Sequence, residues 1–129
     1  MRPTCGKRMQ RALILFAHGA RDPKWAEPFE ALATRVRALA PALPVRLAFL
    51  ESMTPDLEAA AADLIAAGAD SIRIAPIFFG QGGHLQRDLP QRVATLLEKH
   101  PGITFECAPP AGEDEGVLDA IARFCVRGL

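Results

Sequence analysis

The chain has 129 residues, 15 of them basic and 15 acidic, so its formal net charge is zero. This length suits one compact domain, and a composition that is 50% hydrophobic and 23% charged excludes a disordered chain. The neutral balance argues against a nucleic-acid partner, because counterion release requires a basic surface. No apolar run approaches the roughly 20 residues that span a bilayer, and three cysteines without CxxC spacing do not indicate a disulfide framework. We therefore expect a cytoplasmic protein with no membrane partner.

The charge is divided unevenly along the chain. Residues 1–11 carry a charge of +4 and the remaining residues carry −4. Residues 1–10 also lack any hydrophobic periodicity, which predicts a flexible basic extension before a single α/β domain over residues 11–129. The apolar run that follows the extension, residues 12–17, is shorter than the core of a secretory signal.

Four short apolar segments predict β-strands, and four segments with helical spacing alternate with them. The strands are expected at residues 12–17, 45–50, 72–78 and 103–108. This alternation predicts parallel pairing with right-handed crossovers and helices on both faces. We expect a doubly wound four-stranded sheet of flavodoxin-like strand order, 2-1-3-4.

The helical segments carry their own start and stop signals. The first ends before Pro41, and the third ends at His100, which precedes Pro101. The second is predicted to have Thr54 as its N-cap, Pro55 as its first residue and Gly68 just past its end. The fourth begins near residue 113, with an apolar side formed by Val117, Leu118, Ile121 and Cys125.

Chemically active side chains follow the predicted strands at one edge of the sheet. His18 comes directly after the first strand, Glu51 after the second, and His84 after the glycine-rich segment that follows the third. Ligands bind at this carboxyl edge in open α/β sheets. In a 2-1-3-4 order the two histidines would face each other, and two imidazoles with a carboxylate suit a borderline divalent metal ion. So few strong ligands leave coordination positions open for metal transfer.

Each of these features also has a structural interpretation. A histidine after a strand is commonly a loop or capping residue, and Glu51 could cap the following helix. The Gly80-Gln81-Gly82-Gly83 segment could be a simple turn, and it matches no nucleotide-phosphate motif. Cys107 and Cys125 are interpreted as buried packing residues of the fourth strand and fourth helix.

In their order along the chain, these segments resemble the small class II chelatases of the CbiX type, which act on sirohydrochlorin. The resemblance covers roughly residues 12–125, and its most specific parts are residues 18–23, 49–51, 76–84 with 88–90, and 109–118. One departure is Ala20, which stands where the family commonly has Ser. The absence of that hydroxyl puts in doubt a hydrogen bond near the site, but it does not change the implied role of His18 as a metal ligand.

The resemblance implies a parallel sheet with helices on both sides and insertion of Co²⁺ or Fe²⁺, or Ni²⁺, into sirohydrochlorin or a related tetrapyrrole. The divalent metal is then a substrate, and no organic cofactor is expected. His18 and His84 would bind the metal, His18 would accept protons and Glu51 would assist. The residues implied to contact the tetrapyrrole are Ser52, Phe79, Gly80, Gln81, Gly82 and Gly83. Larger relatives carry two such domains, so a homodimer is expected.

Two other functions are weighed against this one. A histidine phosphatase uses an Arg-His-Gly segment, but Ala17 precedes His18 here. A metal or tetrapyrrole carrier would need the same two histidines and an apolar wall, for which Trp25, Met53, Phe78 and Phe79 are candidates. Either a carrier or a chelatase would pair substrate carboxylates with cations near the site, and Arg21, Lys24 and Arg87 are the candidates.

Overall fold

The computed structural model describes residues 9–80 and 82–129, and of residues 83–86 it describes only the backbone. The strands are β1 (Arg11–Ala17), β2 (Val45–Phe49), β3 (Ser71–Pro76) and β4 (Thr104–Cys107). The helices are α1 (Glu27–Leu39), α2 (Leu57–Ala66), α3 (Gly83–Lys99) and α4 (Glu115–Val126), with short 3-10 turns at Pro23–Ala26 and Ala111–Glu113. All four strands are parallel in the order β2-β1-β3-β4, which confirms the predicted doubly wound sheet.

The two faces of the sheet are covered by different helices. On one face, strand residues such as Ile14, Phe16 and Ile74 pack against α2 and α3, and all three are fully buried. On the other face, Leu15 and Val45 pack against Ala33 of α1. This alternation along the strands follows from their two-residue side-chain period. The main core therefore lies between the sheet and the pair α2 and α3.

Helix α2 begins two residues later than the sequence predicts. Its N-cap is Asp56, whose carboxylate accepts a hydrogen bond from the Ala59 amide at 2.8 Å, and not Thr54. Pro55 is not the first helical residue, because its carbonyl accepts a hydrogen bond from the Phe49 amide at 2.9 Å and so continues the edge of β2. The predicted stop is confirmed, since Gly68 follows the helix with a φ of +110°.

The predicted burial of the last strand and last helix is wrong. Cys107 and Cys125 are both exposed, because β4 is an edge strand and α4 does not lie on the sheet. In the part of the chain that the structure describes, α4 has substantial contact only with the 3-10 turn at Ala111–Glu113. The predicted helix is present and begins after its N-cap Asp114, but its apolar side faces solvent.

The amino end of the domain is fixed by Gln10. Its amide donates to the Asp70 carboxylate at 2.8 Å, and its carbonyl accepts hydrogen bonds from the amides of Asp70 and Ser71. Residues 1–8, most of the predicted extension, lie outside the described residues. None of the helices formed by the described residues is long and apolar enough to cross a membrane.

Candidate metal-handling site

The site lies at the carboxyl edge of the sheet, at the end of β1 and of its neighbours β2 and β3, beside the point where the strand order reverses. Backbone hydrogen bonds continue past the strand ends: the Leu50 amide donates to Ala17 at 2.9 Å and the Glu51 amide donates to the His18 carbonyl at 3.1 Å. These bonds hold the segments after β1 and β2 side by side. Binding at such a switch point is typical of open α/β sheets.

The segment after β1 needs a glycine at position 19. Gly19 has a φ of +95°, and a Cβ atom there would lie 1.9 Å from the Glu51 carbonyl oxygen. The close approach of the two backbones therefore depends on the absence of a side chain. It is this approach that brings the neighbouring His18 side chain next to Glu51.

His18 and Glu51 form the chemical centre of the site. The His18 Nε2 atom lies 4.0 Å from a Glu51 carboxylate oxygen, and the two side chains are 54% and 62% exposed. The Phe78 ring meets the imidazole edge-on, with ring centroids 6.0 Å apart, and Phe78 itself is buried against Phe16. One side of the imidazole is thus supported by the core while its nitrogen remains open to a ligand.

Ser52 forms a strained turn directly after Glu51. Its φ is +66°, and the Met53 amide donates to the Glu51 carbonyl across it at 2.8 Å. A non-glycine residue in this region costs free energy and is common at functional sites. The turn aims Ser52 and Met53 into a neighbouring cavity of about 530 Å³, which Arg21 also lines.

A separate open cavity of about 510 Å³ surrounds the histidine and carboxylate. His18, Leu50, Glu51, Gly80, Gly82, Asp88 and Arg92 line it. The Arg92 guanidinium donates to the Asp88 carboxylate at 2.9 Å, and both side chains are only about 30% exposed. Sequence reasoning missed Arg92, although its spacing four residues after Asp88 on a helix is a signal for such a pair.

The remaining predicted site residues lie along the segment between β3 and α3. Phe79 is 70% exposed at the carboxyl edge of the sheet, and Gly83 and His84 begin α3 at the same edge. The His84 side chain and all of Gln81 lie outside the described residues, so the predicted pairing of His18 with His84 stays a prediction. Among the side chains that the structure describes, no group of three or more metal-ligating residues occurs.

The other predicted residues are placed as follows. Arg87 is exposed on α3, and Lys24 lies in the 3-10 turn whose N-cap is Asp22. Trp25 stacks on Phe29 of α1 with ring centroids 4.6 Å apart. The third histidine, His100, caps the far end of α3, as predicted.

Taken with the sheet topology, the exposed imidazole and carboxylate beside an open switch-point cavity define a parallel α/β protein with a ligand site at the carboxyl edge of its sheet. Residues 12–125 match the CbiX family. The chain belongs to that family.

Named relatives and solved structures agree with this assignment. The chain is 30% identical over 117 residues to a sirohydrochlorin cobaltochelatase from Sulfolobus acidocaldarius, covering 91% of each chain. It superposes on the crystal structure of a CbiX protein from Marinobacter aquaeolei VT8 with a TM-score of 0.80, 29% identity, and coverage of 89% and 93%. It also superposes on the sirohydrochlorin chelatase SirB from Bacillus subtilis subspecies spizizenii in complex with cobalt, with a TM-score of 0.78 and 26% identity. That match covers 89% of this chain and 49% of SirB.

Proposed function

We propose that this protein is a sirohydrochlorin chelatase that inserts Co²⁺ or Fe²⁺ into the tetrapyrrole. The observation that carries the proposal is the exposed His18 imidazole beside the Glu51 carboxylate, at the switch point of a CbiX-family sheet. Both metals fit the same donors, because imidazole binds the borderline divalent ions of this series. Relatives named for cobalt and for iron both match the chain.

Metal insertion requires a base, because two pyrrole N–H protons leave as the metal enters the ring. Neutral imidazole suits this role, since the unperturbed pKa of histidine is about 6.5. His18 can hold the metal only as neutral imidazole, so it accepts a pyrrole proton on the nitrogen that the metal leaves as it passes to the ring nitrogens. The Glu51 carboxylate, 4.0 Å from His18 Nε2, lies near enough to stabilise the protonated ring and to pass protons on to solvent. Their exposure leaves both groups accessible to a bound tetrapyrrole and to water.

The metal must also be held weakly enough to be transferred. We assign His18 and His84 as its two imidazole ligands, so that solvent and then the ring nitrogens fill the remaining positions. The ring itself is assigned to Ser52 and the segment from Phe79 through Gly80, Gln81, Gly82 and Gly83. Phe79 offers an exposed aromatic face to a planar substrate, and Arg92 in the cavity offers a cation to its carboxylates.

The third histidine provides a matched control for the two proposed ligands. We expect His18→Ala and His84→Ala to lower the initial rate of Co²⁺ and Fe²⁺ insertion, followed by tetrapyrrole absorbance, by about 10²- to 10⁴-fold. His100→Ala should retain the rate, because His100 caps α3 at the opposite edge of the sheet. Insertion at the wild-type rate by His18→Ala and by His84→Ala would refute the site.

A metal or tetrapyrrole carrier would use the same side chains without turnover. Product in excess of one equivalent per chain distinguishes the chelatase from the carrier, which would stop at stoichiometric binding. We further propose that the enzyme works in the cytoplasm as a homodimer, in which each subunit contributes one wall of the cleft.

A further inference from the structure

The segment that follows β4 lies against the segment that follows β3. The Ala108 amide donates to the Ile74 carbonyl and the Gly112 amide donates to the Phe78 carbonyl, both at 2.9 Å. The first bond completes the parallel ladder of the two strands, and the second lies beyond the ends of both. The 3-10 turn Ala111–Glu113 is therefore held by its backbone beside the start of the glycine-rich segment.

Gly112 occupies a place in this contact that has no room for a side chain. A Cβ atom there would lie 1.6 Å from the carbonyl oxygen of Phe79, 2.3 Å from its carbonyl carbon and 2.5 Å from its Cα atom. The φ of Gly112 is not positive. The need for glycine at this position is thus one of space and not of backbone conformation.

Only one other glycine makes such a contact, and it also adjoins the site. Among the glycines whose surroundings the structure describes, only Gly19 and Gly112 would bring a Cβ atom within 3.0 Å of another atom. Gly19 meets the backbone of Glu51, and Gly112 meets the backbone of Phe79. Both segments that carry proposed site residues therefore lie against a neighbouring backbone at a glycine.

Phe78 and Phe79 are adjacent in sequence but have different surroundings. Phe78 is buried, and its ring packs on Phe16 and on His18 with centroids 5.8 Å and 6.0 Å apart. Phe79 is exposed at the carboxyl edge of the sheet. Because the core holds the Phe78 ring, a displacement of this backbone moves Phe79 more than Phe78. The position of the Phe79 ring therefore depends on the backbone contact with Gly112.

We propose that Gly112 is a positioning residue for tetrapyrrole binding, which acts by setting the position of Phe79 through this backbone contact. The inference rests on the proposed function, in which the exposed Phe79 ring contacts the planar substrate. Gly112 itself does not touch the substrate. A gap of about 1 Å forfeits up to about half of the dispersion attraction of a contact, so the position of the ring decides how much binding it contributes.

Equilibrium titration with sirohydrochlorin in the absence of metal measures this effect. In Gly112→Ala the distance from the new Cβ atom to the Phe79 carbonyl oxygen must rise from 1.6 Å to at least 3.0 Å. We expect the dissociation constant, followed by tetrapyrrole absorbance, to rise about tenfold. The kcat at saturating sirohydrochlorin should stay within about threefold of wild type, because the lost contact is a binding contact.

Gly116→Ala is the matched control, the same substitution four residues further along the chain. A Cβ atom at Gly116 would meet only the end of the Asp114 side chain, at 3.1 Å. This variant should bind sirohydrochlorin as wild type does. A dissociation constant for Gly112→Ala equal to that of Gly116→Ala would overturn the proposal.

A double-mutant cycle with Phe79→Ala separates positioning from a general loss of structure. Phe79 is exposed, so its truncation should leave the free energy of unfolding in urea nearly unchanged and raise the dissociation constant about tenfold. If Gly112 acts through Phe79, the double variant should bind no more than about twofold more weakly than Phe79→Ala alone. Effects that multiply to about 100-fold would show that Gly112 acts by another route, and would overturn the proposal.

Pro110 provides a second variant if Gly112→Ala fails to fold. Pro110 is buried and is the N-cap of the turn that carries Gly112, whereas Pro109 is exposed. Pro110→Gly and Pro109→Gly loosen the unfolded chain alike. Only Pro110→Gly should weaken sirohydrochlorin binding, by about threefold or more, and it should have no such effect when Phe79 is already alanine. Equal binding by the two proline variants would overturn the proposal.

Turnover distinguishes the failure of this inference from the failure of the proposed function. Wild type that binds sirohydrochlorin but forms no product with Co²⁺ or Fe²⁺ would refute the chelatase, and the affinities of the variants would still support the role of Gly112. Wild type that inserts metal, with equal affinities for Gly112→Ala and Gly116→Ala, would overturn the positioning role alone. Wild type with no affinity for sirohydrochlorin would overturn both.

Discussion

Substituting Gly19 tests whether the approach of two backbone segments creates the site. In Gly19→Ala, the positive φ of +95° alone costs about 1–2 kcal/mol of folding free energy. The new Cβ atom would also lie 1.9 Å from the Glu51 carbonyl oxygen, where real contacts stay above 3.0 Å. The segment carrying Glu51 must therefore move by about 1 Å, and overpacking of this kind adds about 1–3 kcal/mol.

Gly68 provides a matched control for the backbone strain. It has a φ of +110° at the end of α2, and a Cβ atom there would have no neighbour within 4 Å. Gly68→Ala should lower the free energy of unfolding in urea by about 1–2 kcal/mol and leave metal insertion unchanged. Gly19→Ala should lower it by about 2–5 kcal/mol in total.

The activity of the two variants separates the site from the fold. Because a displacement of about 1 Å between reacting groups costs about 100-fold in rate, Gly19→Ala should lose roughly that factor in the initial rate of Co²⁺ insertion. The rate is measured under conditions in which urea titration shows both variants folded. Equal stability and equal insertion rates for Gly19→Ala and Gly68→Ala would refute the reasoning that position 19 sets the separation of His18 from Glu51.

Two further predictions concern features that the structure assigns differently from the sequence. Asp56→Ala should lower the free energy of unfolding by about 1 kcal/mol through loss of the α2 cap, whereas Thr54→Ala should change it little. A larger loss of stability in Thr54→Ala than in Asp56→Ala would show that Thr54 is the cap. Arg92→Gln should raise the KM for the tetrapyrrole by about tenfold or more, through loss of a charge-assisted hydrogen bond, whereas Arg87→Gln, exposed on α3, should change it less. A larger rise in KM for Arg87→Gln than for Arg92→Gln would show that the cation binding the substrate carboxylates lies outside the His18 cavity.

Much of the fold was predictable from local patterns. Four apolar segments separated by helical segments leave parallel pairing with right-handed crossovers as the dominant arrangement, and the observed order β2-β1-β3-β4 follows it. The same rule places residues that follow the strands at one edge. The sequence therefore predicts that His18 and Glu51 lie at the same edge of the sheet, but it does not predict the 4.0 Å separation of their side chains.

Other features depend on contacts between segments distant in sequence. Thr is a favourable N-cap residue and Pro is favourable at the first position of a helix. The Pro55 carbonyl, however, accepts a hydrogen bond from the Phe49 amide, and the helix begins after Asp56. Arg87 and Arg92 both lie on α3 near the site segments, and only the packing of α3 on the sheet decides which of them lines the cavity. Hydrophobic periodicity cannot predict which residue of a helix lines a cavity formed with other segments, because it describes one element at a time.

The alternation of apolar and helical segments by itself predicted the α/β class and the strand order that the structure has, whereas the zero net charge bears on partners and not on the fold. Whether the apolar side of α4 is buried within one chain was decided only by the tertiary structure. The sequence shows that α4 has an apolar side. It does not show whether that side packs on the sheet of the same chain, since that depends on how the backbone between Ala108 and Gly112 is held against β3 and the segment after it.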